Sequence, residues 1–245
     1  MMTKKILLAS LFIAFSFSVN AQSWWGNNKK IKGNGTIIIE KRTTSNYDAI
    51  TVGGSFDVVL IKGTEGNITL KGEENIIPLI ETEISGGTLK IKYKKNTNVK
   101  TTRRMVVTVT VSEIESIALG GSGNIISKTE LISDNFSVSL GGSGNIELGI
   151  NADETNVNIG GSGNIDLKGI TNNLKCAIAG SGSIRAYNLT TSEINATIAG
   201  SGSVKATVKN KIKANLIGSG SIYYKGNPKQ IDSKSIGSGS IIEKN

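Results

Sequence analysis

Seven times between residues 119 and 241 the chain passes through nearly the same glycine-serine corner. The corners read LGGSGNI (119–125), LGGSGNI (140–146), IGGSGNI (159–165), AGSGSI (179–184), AGSGSV (199–204), IGSGSI (217–222) and IGSGSI (236–241). Their serines are Ser122, Ser143, Ser162, Ser181, Ser201, Ser219 and Ser238, spaced 21, 19, 19, 20, 18 and 19 residues apart. A period near 19 with small insertions is the signature of a solenoid.

Between corners, apolar residues alternate with polar ones. Phe136, Val138 and Leu140 do so before one corner; Leu174, Cys176 and Ile178, then Ile194, Ala196 and Ile198, do so before later ones. After each corner a second short run follows, such as Ile146 and Leu148, or Val204, Ala206 and Val208. Period two means strand with one face buried. A unit of this size buries too few side chains to offset the entropy of ordering its backbone. Neighbouring units must therefore cover each other's edges. Stacking each coil on the last does so, with strands parallel and about 4.8 Å apart. The expected fold is all-β: a right-handed parallel β-helix, the hand following the general rule for parallel crossovers.

Each coil must turn at the same place, in register with its neighbours. Glycine permits positive φ and close backbone approach there. Serine and asparagine bond the freed backbone groups and form ladders along the stack. The polar column after the corner is Asn124, Asn145 and Asn164, continuing as Ser183, Ser203, Ser221 and Ser240. Its role reads as structural.

The chain opens MMTKKILLASLFIAFSFSVNAQS. A basic start, an apolar run from Ile6 to Val19 and small residues at Val19-Asn20-Ala21 predict a secretory signal peptide over 1–21, cut after Ala21. The apolar run is too short to span a bilayer, and no later segment is long enough. Residues 22–46 read as a lead-in that holds the Trp24-Trp25 pair, either a sugar-stacking pair or, preferred, a hydrophobic clasp. Residues 47–115 read as a β-rich N-terminal domain, a distorted β-helix or a sandwich, with Gly53-Gly54-Ser55 as a degenerate corner and Asn96 to Arg104 as a polar, mobile loop. Residues 116–245 form the regular β-helix.

Composition removes several chemistries. There is no histidine, so Ser-His-Asp and Cys-His nucleophile systems and the usual zinc sites are absent. Cys176 is the single cysteine; it cannot form an internal disulfide and reads as a small buried hydrophobe. The glycine corners lack the following helix and the lysine of a phosphate-binding loop. Calcium-binding β-rolls need a nine-residue period with aspartate in the turn. No cofactor is called for. The formal charge of +9 includes a cluster at Lys92, Lys94, Lys95, Lys100, Arg103 and Arg104. Such a surface favours anionic partners, although solubility alone accounts for it, and nothing resembles a nucleic-acid module.

One column carries the strongest case for chemistry. Two residues past the Asn/Ser column stand Ile126, Glu147, Asp166, Arg185, Lys205, Tyr223 and Ile242. Stacking puts Glu147 beside Asp166, and Asp166 beside Arg185. Two carboxylates at that spacing could act as acid and nucleophile on a glycan. The alternative is a solvated ligand face on which Arg185 and Lys205 balance the acids.

The repeated GSGNI corners after a signal peptide resemble the head GIN domain family of auto-transporter adhesins. Upstream, YDAITVGGSFDVVLIKG (47–63), NITLKGEENIIPLIETEI (67–84) and GTLKIKY (87–93) are similar to it as well. The resemblance spans Tyr47 to Ile242 and implies an exported bacterial β-helical protein of the periplasm, outer-membrane surface or extracellular space. It supplies no catalytic residues. The last four corners read GSGS rather than GSGN, a departure that argues against a continuous asparagine column as a ligand site.

The expected function is therefore a non-enzymatic surface or periplasmic protein that binds extracellular glycan or protein through its ladder faces. A second reading is a self-associating envelope scaffold, a homo-oligomer formed by edge pairing at the last coil, KSIGSGSIIEKN. There Ser233 and Ser235 fall where inward Ala and Leu sit one coil earlier, which favours fraying over a strong end contact. A third is a glycan-active enzyme.

Overall fold

The computed structural model describes residues 30–245; the signal-peptide reading of 1–21 and the Trp24-Trp25 pair lie outside them. The chain forms a parallel β-helix. Strands β10 (Ser116–Gly121), β11 (Asn124–Gly142), β12 (Asn145–Gly161), β13 (Asn164–Gly180), β14 (Ser183–Gly200) and β15 (Ser203–Gly218) stack in sequence order, each parallel to the last. Strands β16 (Ser221–Lys225), β17 (Gln230–Ile236) and β18 (Ser240–Glu243) complete the final coil and a half, again parallel to their neighbours. From β11 to β15 one strand wraps almost a whole coil, because proline is absent there and each coil's N–H groups find carbonyls on the coil beneath.

The predicted register holds. Gly142 lies over Gly121, Gly161 over Gly142, and Gly180 over Gly161. Insertions are confined to the arc after the second short run. Two residues between Ile126 and Glu130 are absorbed against β12, and one between Asp166 and Lys168 against the longer β14. The glycine corner itself never shifts. Inward side chains form continuous columns, for example Leu119, Leu140, Ile159, Ile178, Ile198 and Leu216, all at most 2% exposed. Cys176 stands in such a column between Val157 and Ala196, and burial pushes its thiol up to about 12.

The stack begins before the regular repeat. Strands β3 (Ala49–Gly54) and β4 (Asp57–Lys62) form a coil whose Gly53 and Gly54 pair with Gly120 and Gly121. Beyond it lies a coil that comes later in sequence. It is made of β7 (Thr88–Tyr93), parallel to β3, and β9 (Val106–Val111), parallel to β4. Antiparallel strands close this end: β6 (Ile80–Ser85) on β7, β5 (Asn67–Glu73) on β9, and β2 (Ile37–Thr43) on β5. A 3-10 turn at Ile77–Leu79 precedes β6, and its carbonyls are held by Arg42, which donates to Ile77 and Ile80. Antiparallel closure blocks the parallel edge from further stacking.

The basic loop expected to be mobile is pinned. Within it β8 (Asn98–Lys100) pairs with β1 (Lys30–Lys32), and Thr102 and Arg103 donate backbone N–H groups to Glu73. Burial disfavours charge on Glu73, which is 0% exposed, but the Thr102 hydroxyl and the Thr102, Gly35 and Arg103 N–H groups outweigh it and hold the carboxyl down at about 2. This one side chain ties lead-in, β5 and loop together.

Candidate functional site

The corner serines are solvent-exposed, and their backbone rather than their hydroxyl does the joining. The N–H groups of Ser143 and Gly144 both donate to Gly121 O at 3.1 Å, and those of Ser162 and Gly163 both donate to Gly142 O at 2.9 and 3.1 Å. The pattern recurs at Ser122, Ser181, Ser201 and Ser219; at the last corner, holding Ser238, Gly239 N–H donates to Gly218 O. A carbonyl approached this closely leaves no room for a Cβ. Gly142 has φ +126°, and a side chain there would meet Gly121 O. The hydroxyls face water and have no nucleophile's partner.

The asparagine column is a directed hydrogen-bond chain. Asn164 Nδ2 donates to Asn145 Oδ1 at 2.9 Å, and Asn145 Nδ2 to Asn124 Oδ1 at 2.9 Å. Asn124 Nδ2 then donates to Asp57 Oδ1 at 2.6 Å, and Arg104 pairs with the other oxygen of Asp57. At the far end Arg185 Nη2 donates to Asn164 Oδ1 at 3.1 Å. The column therefore runs from a guanidinium to a carboxylate, and one coil further on a Ser183–Ser203 hydroxyl pair at 3.0 Å takes over. Sequence reading missed Asp57, and it placed Arg104 only in the basic cluster, not at the end of this column. The signal for Asp57 was present: GGSFD (53–57) aligns with GGSGN (120–124). Arg104 gave none, because an excursion of the chain brings it to Asp57.

The column Glu147, Asp166, Arg185, Lys205, Tyr223 is formed as stacking required, with each residue in register with the next. Arg185 Nη1 lies 3.1 Å from Asp166, and Lys168 Nζ lies 3.9 Å from Glu147. Both carboxylates thus face cations on an open surface. A shallow groove of about 540 Å³ runs beside them, walled by Tyr187 and Asn188. That wall is a β-bulge. Ala186 pairs with Ala206 and Thr190 with Thr207, so Tyr187, Asn188 and Leu189 are left over; Leu189 turns inward, fully buried, and Tyr187 and Asn188 turn out. Bulges re-aim side chains in this way. Alternation could not reveal the bulge, since it interrupts the alternation.

Among the described residues no group of three or more Asp, Glu or Cys side chains is placed to hold a metal ion, and no helix is long and apolar enough to cross a membrane.

Residues 46–228 match the family described as "Putative auto-transporter adhesin, head GIN domain". Crystal structures that share the fold include the following three. A "putative adhesin" from Bacteroides fragilis NCTC 9343 is 25% identical, with TM-score 0.81 over 87% of this chain and 100% of its own. A "putative lipid binding protein" from Parabacteroides distasonis ATCC 8503 is 28% identical, with TM-score 0.74 over 89% of this chain and 100% of its own. A "putative adhesin" from Parabacteroides merdae ATCC 43184 is 24% identical, with TM-score 0.74 over 88% and 99%. No curated protein matches the chain.

Proposed function

This chain belongs to the family described as "Putative auto-transporter adhesin, head GIN domain", and on that premise we propose that it is an exported, non-enzymatic protein that binds extracellular glycan or protein through its ladder faces. The observation that carries this reading is the setting of Glu147 and Asp166. An acid-nucleophile pair would need one carboxyl kept neutral by a sheltered setting. Both instead lie on an open face, each beside its own cation. On the arc before the corner the coils present short polar columns such as Ser116, Ser137 and Asn156, which suit many weak contacts over a flat surface. Periplasm, outer-membrane surface and extracellular space all accommodate such a protein.

The test is retention of the chain on arrays of glycans and matrix proteins, run alongside polysaccharide hydrolysis assays. Retention without turnover is expected. Turnover that disappears in Glu147→Gln or Asp166→Asn overturns the reading.

A second reading, self-association, is favoured by the last coil. Among the described residues β17 and β18 each bond on one side only, and Ile236 at that end is 73% exposed. Light scattering with and without residues 229–245 separates the two: a concentration-dependent mass that needs the last coil supports a scaffold, and a monomer at all concentrations removes it.

A further inference from the structure

On the outer face that follows the glycine corner, charge is spread unevenly along the stack. Glu147 and Asp166 have cation partners, as described. Further along, cations stand without carboxylates: among the described residues Lys205, Lys225 and Lys244 form no ion pair. Two of them are held by rings instead. Lys225 Nζ lies 5.1 Å from the centroid of the Tyr187 ring, and Lys244 Nζ lies 5.6 Å from that of Tyr223. A carboxylate would cancel the ammonium charge. An aromatic face anchors the ammonium and leaves its charge available.

The spacing is regular. Arg185, Lys205 and Tyr223 occupy successive rungs, about 4.8 Å apart. Lys225 pairs at the backbone with Thr207, and its side chain reaches back across that rung to Tyr187. Tyr187 is available because the bulge in β14 turns it outward. The result is a line of cations interleaved with two tyrosines, parallel to the stack axis.

We propose that Tyr187, Lys205, Tyr223, Lys225 and Lys244 form a binding strip for an anionic polysaccharide, bounded on one side by Arg185, whose guanidinium Asp166 already pairs. The polymer lies along the stack, its acid groups against the cations and its sugar rings against the tyrosines. This rests on the reading that the chain binds through its ladder faces. Glu147 and Asp166 end the strip on one side, where like charge meets the ligand. An anionic membrane fits less well. The most exposed large apolar side chains, among them Ile132, Ile170 and Ile217, are not members of the column, whose apolar surface is limited to the tyrosine rings and the partly exposed Ile242.

The test measures binding of the full chain to polygalacturonate at low salt. Two triple variants remove the same charge: Lys205→Gln with Lys225→Gln and Lys244→Gln on the strip, and Lys94→Gln with Lys95→Gln and Lys100→Gln in the other basic cluster. The strip variant should bind about tenfold more weakly and the control less than about threefold. Tyr187→Ala should weaken binding where Tyr187→Phe does not. Equal losses in both triples overturn the proposal, as does strip-dependent binding to anionic phospholipid vesicles without binding to polygalacturonate. Retention on neutral glycans that the strip triple leaves unchanged overturns the strip while the adhesin reading stands. Binding to no glycan and no protein surface removes both.

Discussion

Asn145 donates its side-chain amide to Asn124 Oδ1 at 2.9 Å and accepts at its own Oδ1 from Asn164, also at 2.9 Å. Each asparagine thus uses one donor and one acceptor, and every amide in the column points the same way. The direction is set at the ends. Asp57 can only accept and Arg185 can only donate, so the three amides between them have one consistent orientation.

Replacing the middle member breaks two bonds at once. Asn145→Ala should lower unfolding free energy by about 1–2 kcal/mol, a modest figure because the column is partly open to water. Asn145→Asp keeps the acceptor and loses the donor. Above the carboxylate range it should cost at least as much as alanine, and part of the loss should return as acid restores a proton for Asn124. Denaturant midpoints at pH 7 and pH 4 measure both. Wild-type stability in Asn145→Ala would show that the ladder orients side chains without supporting the fold.

Adjacent glycines should respond in opposite ways. Gly161 has φ +133°, and a side chain there would meet Gly142 O. Gly161→Ala should cost about 1–3 kcal/mol. Gly160 has no atom within 4 Å of an added Cβ, and its neighbour on the next coil is already Ala179. Gly160→Ala should be neutral or stabilise by up to about 1 kcal/mol. Thermal melts of the two variants decide it, and equal effects would mean that the corner is not held by close backbone approach.

Glu73 makes the closure of the first coils sensitive to acid. Its folded-state carboxyl sits at about 2, below the ordinary 4.5. A depressed value means that its contribution is present above the ordinary range and is lost as pH falls from 4.5 toward 2. Glu73→Gln should destabilise the protein by about 2–4 kcal/mol at pH 7. The gap between wild type and variant should narrow below pH 4. A gap that is the same at pH 7 and pH 2.5 would show that packing, not charge, gives Glu73 its role.

Much of the candidate face was legible from spacing alone. Once corners are aligned, counting two residues past the asparagine column puts Glu147, Asp166, Arg185, Lys205 and Tyr223 in line, because parallel stacking preserves position within the coil. Tyr187 was not legible as part of it. Its coil carries an extra residue, and a length difference of one says that a bulge exists but not which residues it ejects. Lys225 and Lys244 were hidden for another reason: their alkyl chains lean across rungs, a matter of rotamer rather than register.

By itself the sequence determined the coil. Strict recurrence of Gly-Ser corners on a period near 19, with apolar alternation between them, admits one economical arrangement, since no single unit can satisfy its own backbone or bury its own face. Tertiary structure alone decided how the stack begins and where its charges meet. The coil made of β7 and β9 lies before β3 and β4 in space although it follows them in the chain, and that inversion delivers Arg104 to Asp57 and Thr102 to Glu73. Local pattern carries no trace of such an excursion, because it is selected by which edge remains open for pairing, a property of the assembled sheet.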